Sequence, residues 1–236
     1  MNRIMPDKIE ELFNKIAPSY DFLNDLFSFG LHRIWKGKLL KALQPLPGEK
    51  WIDLCCGTGD LTVSIARHIQ PQGNILGIDF SSQQLAVARK RVIQGQDLPI
   101  TFIQQDVLDN HLKINSFNGA VMAYGLRNLV DTKKGIEEIY RLLKPGGRAG
   151  ILDFNSSKNG SISSLFQKIY LRLIVVPIAS MLKLKKEYEY IESSLKKFPN
   201  GIVQKQIAID VGFENVRYKL LARGQMGILL LEKPRD

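Results

Sequence analysis

The chain has 236 residues, 44% hydrophobic and 24% charged, enough for one α/β core with some excursion beyond it. No stretch approaches the roughly 20 uncharged apolar residues of a membrane span. The opening Met1-Asn2-Arg3-Ile4-Met5-Pro6-Asp7 lacks an apolar signal core, so a cytoplasmic protein is expected. A net charge of +10 admits a nucleic-acid partner, an anionic membrane surface or simple solubility. The two cysteines are adjacent, Cys55 and Cys56, and read as small buried residues, since vicinal thiols rarely bridge each other without strain. With His32, His68 and His111 scattered, no metal is expected.

In chain order, residues 1–46 read as helices in front of a sheet. Strands are predicted at 50–55, 74–79, 100–105, 118–123 and 147–153, with helices at 60–69, 82–93 and 131–143. Leu85, Ala88 and Val92, then Ile136, Ile139, Leu142 and Leu143, supply apolar stripes at helical spacing. Pro145-Gly146-Gly147 ends the last of these helices and turns into the next strand. Residues 160–198 form a helical excursion, and 215–222 and 226–232 read as a closing hairpin joined by Arg223-Gly224-Gln225.

The informative run is Trp51-Ile52-Asp53-Leu54-Cys55-Cys56-Gly57-Thr58-Gly59-Asp60, answered by Asp79 at the end of the next apolar run. A buried strand delivers the chain into a glycine turn, and the following helix offers its unpaired N–H groups where a ligand sits. An acidic residue at the place of Asp79 hydrogen-bonds ribose hydroxyls in nucleoside-binding α/β folds. Thr62 occupies the position where a dinucleotide fingerprint wants its third glycine, and Asp60 at the helix start would repel a pyrophosphate. S-adenosylmethionine carries a sulfonium and an ammonium in place of phosphate, so it is the expected cofactor; Asp60 also suits a helix N-cap. Asp53, Gly57, Thr58 and Gly59 are assigned to its methionyl part and Asp79 to its ribose. Asp106, with Val107 beside it, either reaches the adenine amino group or is a loop-start carboxylate. Ala123 and Tyr124 end the fourth strand on the methyl-transfer side. The fold class is therefore α/β: a Rossmann-like, seven-stranded, mostly parallel sheet with a final antiparallel strand, laid out like the class I S-adenosylmethionine-dependent methyltransferases. A methyltransferase domain at 47–236 is expected to carry the helical insertion at 160–198, preceded by a substrate-side helical segment at 1–46.

Phe13-Asn14-Lys15-Ile16-Ala17-Pro18-Ser19-Tyr20-Asp21-Phe22-Leu23-Asn24 and Ser28-Phe29-Gly30-Leu31-His32-Arg33-Ile34-Trp35 resemble the N-terminal segment of the ubiquinone/menaquinone C-methyltransferases. Cys56-Gly57-Thr58-Gly59-Asp60-Leu61, Tyr124-Gly125-Leu126-Arg127-Asn128, Leu143-Lys144-Pro145-Gly146-Gly147 and Tyr188-Glu189-Tyr190-Ile191-Glu192-Ser193-Ser194 match later blocks of that family, in order. Cys55-Cys56 and Arg223-Gly224-Gln225-Met226-Gly227 look like its cyanobacterial and plastid members, and Leu229 stands where enterobacterial-type members carry a histidine. The resemblance implies methylation of a lipophilic phytylated naphthoquinol, demethylphylloquinol to phylloquinol. The alternatives within the family are demethylmenaquinol and a polyprenyl methoxybenzoquinol.

Such a reaction needs an electron-rich ring carbon, which a quinol supplies when its hydroxyl loses a proton; no covalent nucleophile is required. Arg127 and Asn128 are expected to project into the cleft and stabilise the developing phenolate, the competing reading being an Arg127 ion pair with Asp131. His32 and Asp153 are equal candidates for the base. Tyr20, Asp21, Asn24, Trp35, Tyr124, Tyr188 and Tyr190 are candidate substrate contacts, with Trp35 alternatively plain core. The apolar stretch 165–182, followed by basic 183–186, suits peripheral membrane contact or a cap packed on the sheet. A nucleic-acid methyltransferase is disfavoured because Tyr124-Gly125-Leu126-Arg127 replaces an Asn-Pro-Pro-aromatic motif, so no nucleic acid is expected. A nicotinamide reductase is disfavoured by Thr62, and a homodimer is left open.

Overall fold

The computed structural model of the chain describes residues 13, 14, 17, 21, 22, 25, 28–93, 98–155, 194, 195 and 197–236. Helix α1 (Leu31–Leu43) leads into strand β1 (Lys50–Leu54), helix α2 (Asp60–Ile69), strand β2 (Asn74–Asp79) and helix α3 (Ser82–Ile93). Strands β3 (Ile100–Gln104) and β4 (Phe117–Ala123), helix α4 (Thr132–Leu142) and strand β5 (Leu143–Phe154) follow. Helix α5 (Gly201–Val211) and strands β6 (Glu214–Leu221) and β7 (Met226–Glu232) complete the described fold.

The seven strands lie in the order β3-β2-β1-β4-β5-β7-β6. Pairings among β1 to β5 are parallel, and β7 runs antiparallel to both β5 and β6. The expected hairpin thus inserts its second strand into the sheet. Winding reverses between β1 and β4, which opens a crevice beyond their carboxyl ends, where open α/β sheets bind ligands.

Alternation along the strands divides the core into two layers. Trp51, Val121, Leu152 and Ile228 face α1 and α2 through Leu39, Leu43, Leu61 and Ile65. Ile52, Leu54, Met122, Ile151 and Leu229 face α4 and α5 through Ile136, Ile139, Leu142 and Ala208. Each such burial stabilises by roughly 1.5–3 kcal/mol relative to exposure. Arg148 on β5 anchors the end of α1: its guanidinium donates to Leu43 O at 2.5 Å and Gln44 O at 2.7 Å, and stacks on Trp51. These carbonyls have no partner within the helix, so a cation there satisfies them and favours the dipole.

Three expectations need correction. Helix α4 spans Thr132–Leu142 rather than 131–143, because the Asp131 side chain caps it by accepting from Lys134 N at 3.1 Å. Strand β5 begins at Leu143 rather than 147, since Leu143 already pairs with Phe117 across a register shift. Helix α5 has no counterpart among the expected elements. Its apolar residues fall on every side, leaving Ile202, Val203 and Ile209 exposed and no single stripe to read.

Candidate active site

After β1 the backbone turns sharply, with Cys55, Gly57 and Gly59 at φ of 58°, 54° and 73°. A side chain at Gly59 would also meet the Phe102 ring at 2.9 Å, so glycine is required there twice over. Asp79 organises the turn from the end of β2. Its Oδ2 accepts from Gly57 N at 2.8 Å and its Oδ1 from Ser81 N at 2.9 Å. Burial raises the Asp79 carboxyl to about 6 despite those bonds.

Asp53 is buried beneath the same turn and accepts from Thr62 Oγ1 at 2.6 Å. Thr62, where a dinucleotide site would have glycine, therefore orients a carboxylate of this site. Burial, opposed by that hydroxyl and reinforced by Asp60, brings Asp53 to about 7. Asp60 is not the helix N-cap; Gly59 is. The Asp60 carboxylate accepts from Leu61 N and takes both oxygens to Lys36 Nζ, at 2.8 and 2.6 Å. Burial opposes its ionisation, but the Lys36 ammonium holds it below the ordinary aspartate value. Burial pushes both the Cys55 and Cys56 thiols well above the ordinary cysteine range, so they stay protonated.

These residues open onto two adjoining cavities that share Cys55, Gly57 and Ala123. The larger encloses about 770 Å³ including its mouth, bounded by Phe13, Asp79, Gln84, Asp106, Val107, Tyr124 and Asn128 among others. The smaller, about 280 Å³, is bounded by Lys36, Asp53, Thr58 and Asp60. Asp106 is the loop-start carboxylate: it caps a single 3₁₀ turn, accepting from Leu108 N at 2.8 Å, and it borders the larger cavity.

At the end of β4, Tyr124 adopts a φ of 62° and its carbonyl accepts from Arg127 Nη1 at 2.8 Å and Asn128 Nδ2 at 3.0 Å. Arg127 pairs with Asp153, not Asp131: Nη1 donates to Asp153 Oδ1 at 2.9 Å and the backbone N to Oδ2 at 3.1 Å. The pair is buried, with the guanidinium 5.0 Å over the Phe154 ring. Two candidate catalytic residues thus meet one another. Of the Arg127-Asn128 pair only Asn128 lines the cavity.

His32 lines neither cavity. It is buried, with Nδ1 2.8 Å from Ser28 Oγ, and burial and Lys36 lower its pKa, so it is neutral near pH 7. Trp35, on α1, is partly buried and packs against the core. The Asp21 carboxylate is held by Thr58 Oγ1 at 2.7 Å and by Arg91. Tyr20, Asn24, Tyr188, Tyr190 and nearly all of 160–198 lie outside the described residues. Lys36, which the sequence shows only as part of the net positive charge, was not expected at the site. Nor were Phe13, which meets Phe80 edge-on at 6.0 Å, and Gln84.

Gln84 supplies a test of fit. Its Nε2 donates to Phe13 O, while Oε1 is buried with no hydrogen-bond partner among the described residues, and Gln84 borders the larger cavity beside Asp79. An acceptor left open there suits a hydroxyl-bearing ligand, as do the remaining lone pairs of Asp79. In the smaller cavity Asp60 is paired with Lys36, and the Asp53 carboxyl suits an ammonium. The residues present fit S-adenosylmethionine.

The fold is that of the S-adenosylmethionine-dependent methyltransferases. A putative enzyme of that type from Methanococcus maripaludis superposes with a TM-score of 0.66 at 19% identity, over 100% of this chain and 97% of that one. Haemonchus contortus phosphoethanolamine N-methyltransferase 2, solved with S-adenosyl-L-methionine, superposes with a TM-score of 0.66 at 18% identity, over 85% of this chain and 52% of that one. Sequence narrows the class. The ubiE/COQ5 methyltransferase family matches residues 1–231, and the chain belongs to it. A 2-phytyl-1,4-naphtoquinone methyltransferase of a Nostoc species is 43% identical over 97% of this chain and 100% of its own length. The chloroplastic 2-phytyl-1,4-beta-naphthoquinone methyltransferase of Arabidopsis thaliana is 40% identical over 93% and 85%.

Proposed function

We propose that this protein transfers a methyl group from S-adenosylmethionine to a ring carbon of a phytylated naphthoquinol, converting demethylphylloquinol to phylloquinol. The observation that carries this reading is the near full-length identity of 40–43% to relatives named for that substrate. The cofactor, when bound, supplies an electrophilic methyl on a sulfonium. Asp79 and the Gln84 carbonyl would hold its ribose hydroxyls, Asp106 and Val107 its adenine, and Asp53, Gly57 and Thr58 its methionyl end.

On the substrate side the chain has to orient a ring and favour its phenolate. Asn128 borders the cavity with its Nδ2 donating to the Tyr124 carbonyl at 3.0 Å, while Arg127, clamped between Asp153 and the same carbonyl, fixes the turn that carries Asn128. Arg127 is thus a positioning residue, and its charge, balanced by Asp153, adds a fixed dipole at the strand end. Asp53 and Asp79 would ionise more readily opposite the cofactor's positive charge, which ties cofactor binding to pH. A phytylated substrate dissolves in lipid, so the enzyme meets it at a membrane surface. No helix among the described residues is long and apolar enough to cross a membrane.

The test is labelled methyl transfer to chemically reduced demethylnaphthoquinol and to the corresponding benzoquinol. A clear preference for the naphthoquinol is expected. Equal use of both would remove the naphthoquinol assignment, and transfer to neither by cofactor-loaded protein would remove the methylation reading.

A further inference from the structure

Helix α1 has two faces with different tasks. His32, Leu39, Leu40 and Leu43 are buried against the sheet, and Lys36 reaches the smaller cavity. The residues left in solvent, Leu31, Arg33, Ile34, Gly37, Lys38 and Lys41, recur every three to four positions and share the opposite side. That outer face carries two large apolar side chains, Leu31 at 42% and Ile34 at 54% exposure, and no acidic residue. The chain entering the helix adds Phe22 and Phe29, 61% and 68% exposed.

The carboxylates paired around this helix and the segment before it each already have a cation: Asp25 has Arg33, Asp21 has Arg91, and Asp60 has Lys36. Lys38 and Lys41 have no acidic partner among the described residues. Exposed apolar groups interleaved with uncompensated cations are the composition of a helix that lies in a lipid interface. A second copy of the chain is a poor occupant, because a two-fold contact would bring identical basic faces together. A nucleic acid would use the lysines but desolvate Leu31, Ile34 and Phe29 for nothing.

We infer that the outer face of α1, with Phe22 and Phe29, is the surface on which the protein docks to an anionic lipid bilayer. The inference deepens the preceding reading, from which it takes only the lipophilic nature of the substrate. The same helix then separates membrane from cleft, with lysines toward lipid headgroups and Lys36 on the cofactor turn. The stretch 165–186, where the sequence suggested membrane contact, lies outside the described residues.

The test is co-sedimentation of the full chain with vesicles of phosphatidylglycerol mixed with phosphatidylcholine, against phosphatidylcholine alone. Binding to the anionic vesicles that weakens with added salt is expected. Lys38→Gln combined with Lys41→Gln should weaken partitioning roughly 30-fold, each lysine near an anionic surface contributing about fivefold. Ile34→Asp should weaken it further. Ile202→Asp combined with Lys205→Gln, on the opposite face of the sheet, should leave it unchanged. Failure of the wild type to sediment, wild-type binding by the α1 variants, or equal loss in the α5 control would overturn the assignment. Loss with the lysine variant but none with Ile34→Asp would mark a general polyanion contact and overturn it too. Methyl transfer to a short-tailed, water-soluble naphthoquinol is measured in parallel, where the α1 variants should match the wild type. Absence of that transfer in the wild type would count against the quinol reading, while the vesicle result would still decide the docking face.

Discussion

The two walls of the cleft are held by different physics. The sheet wall, from β1 through the glycine turn to Asp79, rests on fully buried strands and on backbone N–H groups bonded to a carboxylate. The N-terminal wall reaches the same turn through polar side chains. Asp21 binds Thr58, Lys36 binds Asp60, Asn14 accepts from Ser81 Oγ at 2.6 Å, and the Phe13 carbonyl accepts from Gln84. Apolar burial resists local opening, whereas partly exposed ion pairs contribute little net stability. The sheet wall is therefore the more deeply anchored of the two, while the N-terminal wall adds polar contacts to the buried Leu39, Leu40 and Leu43 of α1.

The sharpest way to break this contrast is at the buried pair. Arg127→Ala leaves Asp153 buried without its counter-charge and should destabilise the fold by about 3–5 kcal/mol in chemical denaturation. Replacing both partners, Arg127→Met with Asp153→Leu, should restore most of that stability while turnover stays low. Full turnover in the double variant would deny Arg127 its positioning role.

The pH dependence comes next. Asp53 is raised from an ordinary value of 3.8 to about 7, so folding favours its protonated form. Stability is then greatest below pH 4 for this group and is lost as pH rises through about 7, by up to about 4 kcal/mol. Asp79, raised to about 6, adds to the same slope, and Asp60, held low by Lys36, opposes it at the acid end. Asp53→Asn should flatten the slope between pH 4 and 7 in denaturation midpoints measured without cofactor; an unchanged slope would show that other groups carry it.

Asp79→Ala removes the acceptor of two backbone N–H groups and should cost about 2–3 kcal/mol. Cofactor affinity by calorimetry should fall by two orders of magnitude or more, roughly 2.7 kcal/mol. The smallest effect belongs to the N-terminal wall. Arg91→Ala should change global stability by less than about 1 kcal/mol. Stopped-flow should nevertheless show faster cofactor release, because Asp21 loses one of its two anchors. A large stability loss there would make the two walls one cooperative unit and end the comparison.

Much of the fold and of the cofactor turn is legible in the amino-acid sequence. The glycine turn, Asp79 and the strand and helix at 74–79 and 82–93 follow from local pattern, because turn chemistry and apolar period are short-range properties. The assignment to a methyltransferase family rests on motifs spread along the whole chain in order. Other features depend on pairings between distant segments, which no local pattern carries. Arg127 meets Asp153, 26 residues away, rather than the nearer Asp131, which is already engaged as a helix cap. Lys36, which reads in the sequence as bulk basic charge, is the partner of Asp60 24 residues on. Thr62, informative in the sequence for the glycine it replaces, holds Asp53 in the folded chain. Helix α5 leaves no readable stripe because it is apolar all round, so only its packing on α4 and β6 shows which side is core. By itself the sequence determined the chemistry at the strand ends, since backbone geometry dictates which residues suit a turn. Which charges neutralise one another, and which face of α1 is left in solvent, was decided by tertiary packing, because ion pairs and exposed faces exist only once distant segments share a surface.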